Sequence, residues 1–237
     1  KTHLGNTMEL AKKLKDNWGK SKGGLNSGGN TKKIIFPKEN EDLAELFGII
    51  LGDGHLEVFK KGKKIRCYAL KIAGHVSEDY NYLTTYVANL IKKNFNEEIK
   101  IKTSKKDNGM HIVVHGKNLI LFLNKKGLKS GNKKIHLQGI PRWIKNNDIY
   151  LKMCIRGLMD TDGTVGETGH VEFSTTSEQL AKDVQYLVRS LGGKSKHSTR
   201  ITHYTHNGER RAGRKSWRVH VRLPKINPFL LSRKAIR

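Results

Sequence analysis

The sequence predicts an α+β fold made of two copies of one αββαββα unit, related by a pseudo-twofold axis. Three observations lead there. The apolar stretch Leu46-Phe47-Gly48-Ile49-Ile50-Leu51-Gly52-Asp53-Gly54 recurs as Ile155-Arg156-Gly157-Leu158-Met159-Asp160-Thr161-Asp162-Gly163, a spacing of 162 − 53 = 109 residues. The same order of strand-like alternation and helix-like periodicity follows each copy. The strands come in pairs joined by turn residues, with Asn108-Gly109 the strongest signal.

In chain order, residues 1–40 read as a basic N-terminal arm. Met8 to Trp18 has the pattern of a short basic helix, and Gly19 to Lys33 is rich in Gly, Asn, Ser and Lys. Residues 41–150 form the first half and 151–237 the second. An apolar helix runs from Glu41 to Gly52, followed by strands His55–Lys61 and Ile65–Ile72 around a turn at Gly62. Ser77, Glu78 and Asp79 open a second helix, in which Leu83, Val87, Leu90 and Ile91 keep helical spacing. Ile99, Ile101 and Thr103 alternate with Lys100, Lys102 and Ser104, and beyond Asn108-Gly109 a strand carries Met110, Ile112 and Val114 on one face. Asn118 to Leu128 is helical by the same test, and Lys133 to Trp143, with Pro141, is a connection.

The second half repeats this order. A hairpin spans Thr164 to Thr175 with its turn at Gly166 to Gly169, and an amphipathic helix runs from Ser177 to Leu191, stopped by Gly192-Gly193. Strands Lys194–Thr202 and Ser216–Leu223 flank the Asn207-Gly208 region, and Asn227 to Ile236 closes with a helix. In the last strand Trp217, Val219, Val221 and Leu223 alternate with Arg218, His220 and Arg222, so one face is core and the other basic.

With 46 Lys and Arg against 21 Asp and Glu, the formal charge is +25 and the pI about 10.1. Such a field attracts polyanions and holds nucleic acid through counterion release. No apolar run approaches the ~18 residues of a spanning helix, and no signal-peptide pattern opens the chain, so a soluble, intracellular protein is expected, in cytoplasm or organelle, with no membrane partner and no small-molecule substrate. Cys67 and Cys154 stand alone, so neither a zinc module nor a disulfide framework is indicated and both are expected to be core residues. Two Gly-Lys-Ser steps, at Gly19 and Gly193, lack the earlier glycine of a phosphate loop, since Leu14 and Val188 stand there. Trp18, Trp143 and Trp217 are expected to pack, and His75, His111, His203 and His206 show no metal-ligand spacing. No self-splicing junction is visible, and no intein is expected.

Under a pseudo-twofold axis the two apolar helices meet as equivalents. Gly48 and Gly157 then fall where only a missing side chain allows the backbones to approach. Asp53 and Asp162 sit side by side at two helix C-termini, each carrying a partial negative charge. One relief is a divalent cation held by hard oxygen ligands, Mg²⁺ by this chemistry, with the carbonyls of Gly52 and Thr161 as further ligands; another is a raised pKa on one carboxylate. A metal–carboxylate pair below two basic sheets suits phosphodiester hydrolysis. The basic faces comprise Arg66, Lys71, Lys100, Lys102 and His111 in the first half and Lys196, Arg200, Arg218, His220 and Arg222 in the second, placed to meet phosphates or guanine edges.

The two nonamers resemble the LAGLIDADG motif of homing endonucleases, and the spacing resembles the single-chain, two-motif branch. The resemblance covers about 200 residues and omits the N-terminal arm. It implies a saddle of antiparallel sheets over double-stranded DNA, a monomer, and cleavage of both strands of a long site across the minor groove with divalent metal, Mg²⁺ or Mn²⁺ or Ca²⁺ in its place. It also implies that Asp53 and Asp162, the final acids of the motifs, are the metal ligands. Asp160 has Leu51 as its counterpart and is expected to be structural. The family places a lysine or glutamine near the metals, for which Lys71, His75 and Lys133 are candidates. The alternative implied by the same resemblance is a non-cleaving nucleic-acid binder, an intron maturase or a transcription regulator.

Overall fold

The computed structural model describes residues 34–62, 64–104, 108–131, 138–165, 171–206 and 208–222. The expected Met8–Trp18 helix, the Gly166–Gly169 turn, the closing Asn227–Ile236 helix and Lys133 lie outside these residues. Helix α1 (Glu41–Gly52) starts at Asn40, whose side chain accepts from the Leu43 N–H at 2.8 Å. It is buried on every side from Leu43 to Leu51, as its near-continuous apolar sequence requires. Strands β1 (Gly54–Lys61) and β2 (Lys64–His75) follow as an antiparallel pair. Helical turns α2 (Val76–Asn81) and α3 (Ala88–Phe95) enclose a π-helical turn, Tyr82–Val87, that the periodicity of Leu83, Val87 and Leu90 did not reveal. Strands β3 (Lys100–Thr103) and β4 (Gly109–His115), then helix α4 (Lys117–Lys125), complete the first unit, and a short helix α5 (Arg142–Lys145) lies in the connection.

Helix α6 (Asp148–Asp162) is the counterpart of α1, capped by Asn147. Strands β5 (Gly163–Val165) and β6 (Val171–Thr175), helix α7 (Glu178–Ser190, capped by Ser177), and strands β7 (Lys194–His206) and β8 (Glu209–Arg222) follow. The two sheets have the same strand order, β1-β2-β4-β3 and β5-β6-β8-β7, all antiparallel. One hydrophobic core runs through both halves, from Leu43, Phe47 and Phe95 to Phe173, Val184 and Val219. The β7–β8 hairpin extends to His206 and Glu209, beyond the expected Thr202 and Ser216. Its outer part exposes Ile201, Thr205 and Arg210, and no residue from 209 to 215 of β8 is buried, which leaves no alternation to read there.

Two local expectations change. The second helix begins at Val76 rather than Ser77, with the Asp79 carboxylate accepting from the His75 N–H at 2.9 Å. Cys67 is not a core residue: it pairs in register with Phe59 and lies half-buried with Sγ 3.5 Å from His115 Nδ1, whereas Cys154 is fully buried. Trp143 and Trp217 pack as expected. Trp143 meets Phe47 edge-on at 5.3 Å and donates to the Lys126 carbonyl, and Trp217 lies against the core.

Candidate active site and nucleic-acid face

Helices α1 and α6 cross at contacts that repeat with the 109-residue spacing. A Cβ added to Gly48 would overlap the Cys154 carbonyl oxygen, and one added to Gly157 would overlap the Glu45 carbonyl oxygen, so each glycine faces the equivalent of the other's partner. Here 157 − 48 and 154 − 45 both equal 109. One turn further on, the equivalents Gly52 and Thr161 meet each other, because a Cβ on Gly52 would occupy the place of Thr161 Oγ1. That hydroxyl donates back to the Gly157 and Leu158 carbonyls at 3.0 and 3.1 Å.

The residues that follow this contact are Asp53 and Asp162. Asp53 caps α1 with its N–H on the Ile49 and Ile50 carbonyls, and its own carbonyl accepts from the Ala73 N–H of β2 at 3.1 Å. Asp162 is the last residue of α6. In a chain with 46 Lys and Arg, neither helix places one in its last turn, where a cation would normally be favoured. Two aligned helix C-termini and two half-buried carboxylates therefore concentrate negative charge at one place, and this hard-oxygen donor set fits a divalent cation. Among the described residues no group of three or more His, Cys, Asp or Glu side chains gathers as a metal cluster. Asp160 is fully buried within α6, apart from the exposed surface.

A cleft of about 310 Å³ opens beside this point, lined by Gly52, Gln138, Asp162, Ser174, Thr175 and Ser216 among others. Gln138 was not foreseen from the sequence. Its side chain accepts from the Lys129 N–H and donates to the Gly127 carbonyl, while its own carbonyl accepts from Ser177 Oγ at 2.8 Å.

Away from the helices, the register of each sheet gathers the polar residues on one face. In the first sheet His55 is opposite Lys71, Lys71 opposite Val113, Lys100 opposite Val113, and Lys102 opposite His111. Leu56, Leu70, Ile72 and Ile112 fill the other face. Arg66 departs from this pattern: Phe59 pairs with Cys67 and Lys60 with Ile65, so Arg66 is the extra residue of a bulge. In the second sheet Lys196 is opposite His220, Arg200 opposite Ser216, Ser198 opposite Arg218, and Lys194 opposite Arg222, all on one face. His75 ends β2, exposed and two residues beyond Ala73. His111 and His203 are exposed.

Two carboxylates interrupt these basic faces, and neither was singled out in the sequence. Glu57 accepts from Lys71 Nζ at 2.8 Å, a hydrogen bond that holds its pKa below the usual 4.5. Glu172 meets Arg218 Nε at 2.7 Å and His220 Nδ1 at 3.5 Å. Burial, together with Lys100, Lys102 and Lys71, pushes His115 below its usual 6.5. The signal available in the sequence was a single acid between apolar neighbours in each strand, Glu57 between Leu56 and Val58 and Glu172 between Val171 and Phe173.

Residues 150–222 match the family model described as a LAGLIDADG-like domain. Over 127 residues, 51% of the chain, it is 35% identical to the replication factor C small subunit of Methanocaldococcus jannaschii, covering 7% of that protein. Over 70 residues, 30% of the chain, it is 39% identical to the replicative DNA helicase DnaB of Mycobacterium intracellulare, covering 12% of it. The chain thus spans a small part of the curated relatives it matches. Among solved structures, I-DmoI in complex with DNA and Mn aligns with a TM-score of 0.51 at 23% identity, over 76% of this chain and 89% of that one. Mesophilic variants of the homing endonuclease I-DmoI align at 0.52 and 22%, over 80% and 86%. No helix among the described residues is long and apolar enough to cross a membrane. The second half of the chain thus matches a LAGLIDADG-like domain, and the chain has the fold of the homing endonuclease I-DmoI.

Proposed function

We propose that this chain is a site-specific endonuclease that hydrolyses both strands of a long double-stranded DNA target with divalent metal held between Asp53 and Asp162. The observation that carries this reading is the Gly52–Thr161 contact, which brings two acidic, lysine-free helix ends together beside two sheets with basic faces. Asp53 and Asp162 would hold the ion, with the Gly52 and Thr161 carbonyls as further oxygen ligands. A bound Mg²⁺, or Mn²⁺ or Ca²⁺ in its place, would polarise the phosphate and lower the pKa of its water. The chain's own part is to fix the two carboxylates through the packed glycines and to position the duplex. Lys71, Lys100, Lys102 and His111 would do so in one half, and Lys196, Arg200, Arg218, His220 and Arg222 in the other, with Arg66 reaching DNA from its bulge. His75 and Lys133 remain candidates for the metal surroundings. The formal +25 and the solved relative's complex with DNA support a duplex partner, bound by a single chain.

The test is selection from a randomised duplex library with Mg²⁺, with a chelator control. Recovery of one long site cut on both strands, in the Mg²⁺ arm alone, is the expected result. Enrichment of a bound but uncut site with every divalent ion would overturn cleavage and leave the non-cleaving binder.

A further inference from the structure

Lys71 and Glu172 occupy the same place in the two halves. Counting from the glycine after each motif acid, Gly54 pairs with Ile72 and Gly163 with Phe173; one residue on, His55 pairs with Lys71 and Thr164 with Glu172. The correspondence continues across the sheets. Lys71 faces Val113 as Glu172 faces His220, and Ala73 faces His111 as Ser174 faces Arg218. Lys100 faces Val113 as Lys196 faces His220. The charges at this matched place are inverted. In the first half a cation on the second strand is held by Glu57 of the edge strand; in the second half a carboxylate stands there and holds Arg218 and His220.

A carboxylate on a face that meets phosphates adds repulsion, so its usefulness must lie in what it orients. Glu172 and Arg218 are diagonal neighbours on adjacent strands, a spacing within reach of long side chains. With Nε turned to Glu172 at 2.7 Å, the planar guanidinium is fixed and presents its terminal N–H groups as a fork, the geometry that reads guanine O6 and N7 together. Lys71, a point charge beside Glu57, offers no such fork. Resting on the DNA-binding reading above, we infer that Glu172 is a positioning residue that sets Arg218 for bidentate readout of a guanine. The β5–β8 half-site then specifies a base that the β1–β4 half-site does not mirror, and the target is asymmetric at that register.

The full chain and its Glu172→Ala, Glu172→Asp and Arg218→Lys variants are each taken through selection on a randomised duplex library, with thermal unfolding as the folding control. The wild type enriches guanine at one position of one half-site only. Glu172→Ala and Arg218→Lys lower that preference by roughly tenfold or more, the worth of a good bidentate pair, and leave the other positions unchanged. Glu172→Asp retains most of it, which a merely structural role would not distinguish. A site unchanged in folded Glu172→Ala, or guanine enriched at mirrored positions of both half-sites, overturns this inference alone. No enriched site with the wild type overturns the DNA-binding reading as well.

Discussion

Glu45 of α1 is fully buried and paired with Arg156 of α6 across the axis that relates the two halves, and the pair has no symmetry mate. The positions 109 residues away hold Cys154 and Phe47. Arg156 Nε donates to Glu45 Oε1 at 3.0 Å, and Tyr86 bridges the two, donating to Glu45 at 2.7 Å and accepting from Arg156 at 2.9 Å. Burial and the Glu45 carboxylate push the Tyr86 hydroxyl above its usual range. An interface whose backbone contacts are symmetric is thus made directional by one ion pair, satisfied when the first helix meets the second rather than a copy of itself.

Removing one member leaves the other in a dry place. Arg156→Ala strands a fully buried carboxylate and is expected to cost about 4 kcal/mol; Glu45→Ala leaves an arginine that is partly exposed and costs about 3 kcal/mol. The double variant should cost less than the sum. Urea unfolding midpoints measure all three, and additive losses would show that the pair is not coupled.

Two glycines test space against conformation. Gly48→Ala forces a methyl onto the Cys154 carbonyl, rigid backbone that cannot step aside, and should destabilise by about 3 kcal/mol or more. Gly62→Ala meets nothing within 4 Å but must hold φ at +62°, so its cost should be about 1 kcal/mol. Thermal unfolding of both variants ranks the two effects; equal losses would mean that α1 and α6 do not touch as described.

The motif helices and the strand pairs were legible because their signals are periodic or duplicated, and so were the places of Asp53 and Asp162 at two equivalent helix ends. Gly48 and Gly157 announced a close approach because they occupy matched positions in apolar runs. Glu45 was invisible, since a buried acid near a helix start looks like any first-turn carboxylate until Arg156 is folded against it. The bulge at Arg66 was not legible either, because a bulge changes register without changing sequence pattern. Lys71 stood out by charge and Glu57 did not, although each explains the other. No residue from 209 to 215 of β8 is buried, so nothing in that stretch marks where pairing ends.

Glu57 gives a pH dependence with a definite sign. Its folded pKa lies below 4.5, chiefly through the hydrogen bond from Lys71, so its stabilisation is present above about pH 4.5 and is lost as pH falls through the folded value. The pair is partly exposed, and the effect should stay within about 1 kcal/mol. Comparing wild type with Lys71→Met in urea unfolding between pH 3 and 6 (about 4.5 being the ordinary glutamate value) should show the two curves converging at the acid end.

Lys194, Lys196 and Arg222 surround one recess of the second sheet. If each meets a phosphate, replacing all three by Ala should reduce the slope of log affinity against log salt by about 2.7, at roughly 0.9 per contact, while base preference stays as it was. Binding titrations with a selected duplex at several salt concentrations measure it. An unchanged slope would remove this recess from the DNA path.

Asp53→Asn and Asp162→Asn separate binding from cleavage. Both residues follow the Gly52–Thr161 contact, and neither carries the packing of the helices, which rests on Gly48, Gly157 and the buried apolar residues. Asn keeps the size and one oxygen but removes the charge that would hold the ion at two converging helix C-termini. Each variant should bind a selected duplex with affinity close to that of the wild type and fail to cut both strands in Mg²⁺. A gel-shift titration and a cleavage assay with each strand labelled read the two properties apart. Full double-strand cutting by either variant would remove that aspartate from the metal site.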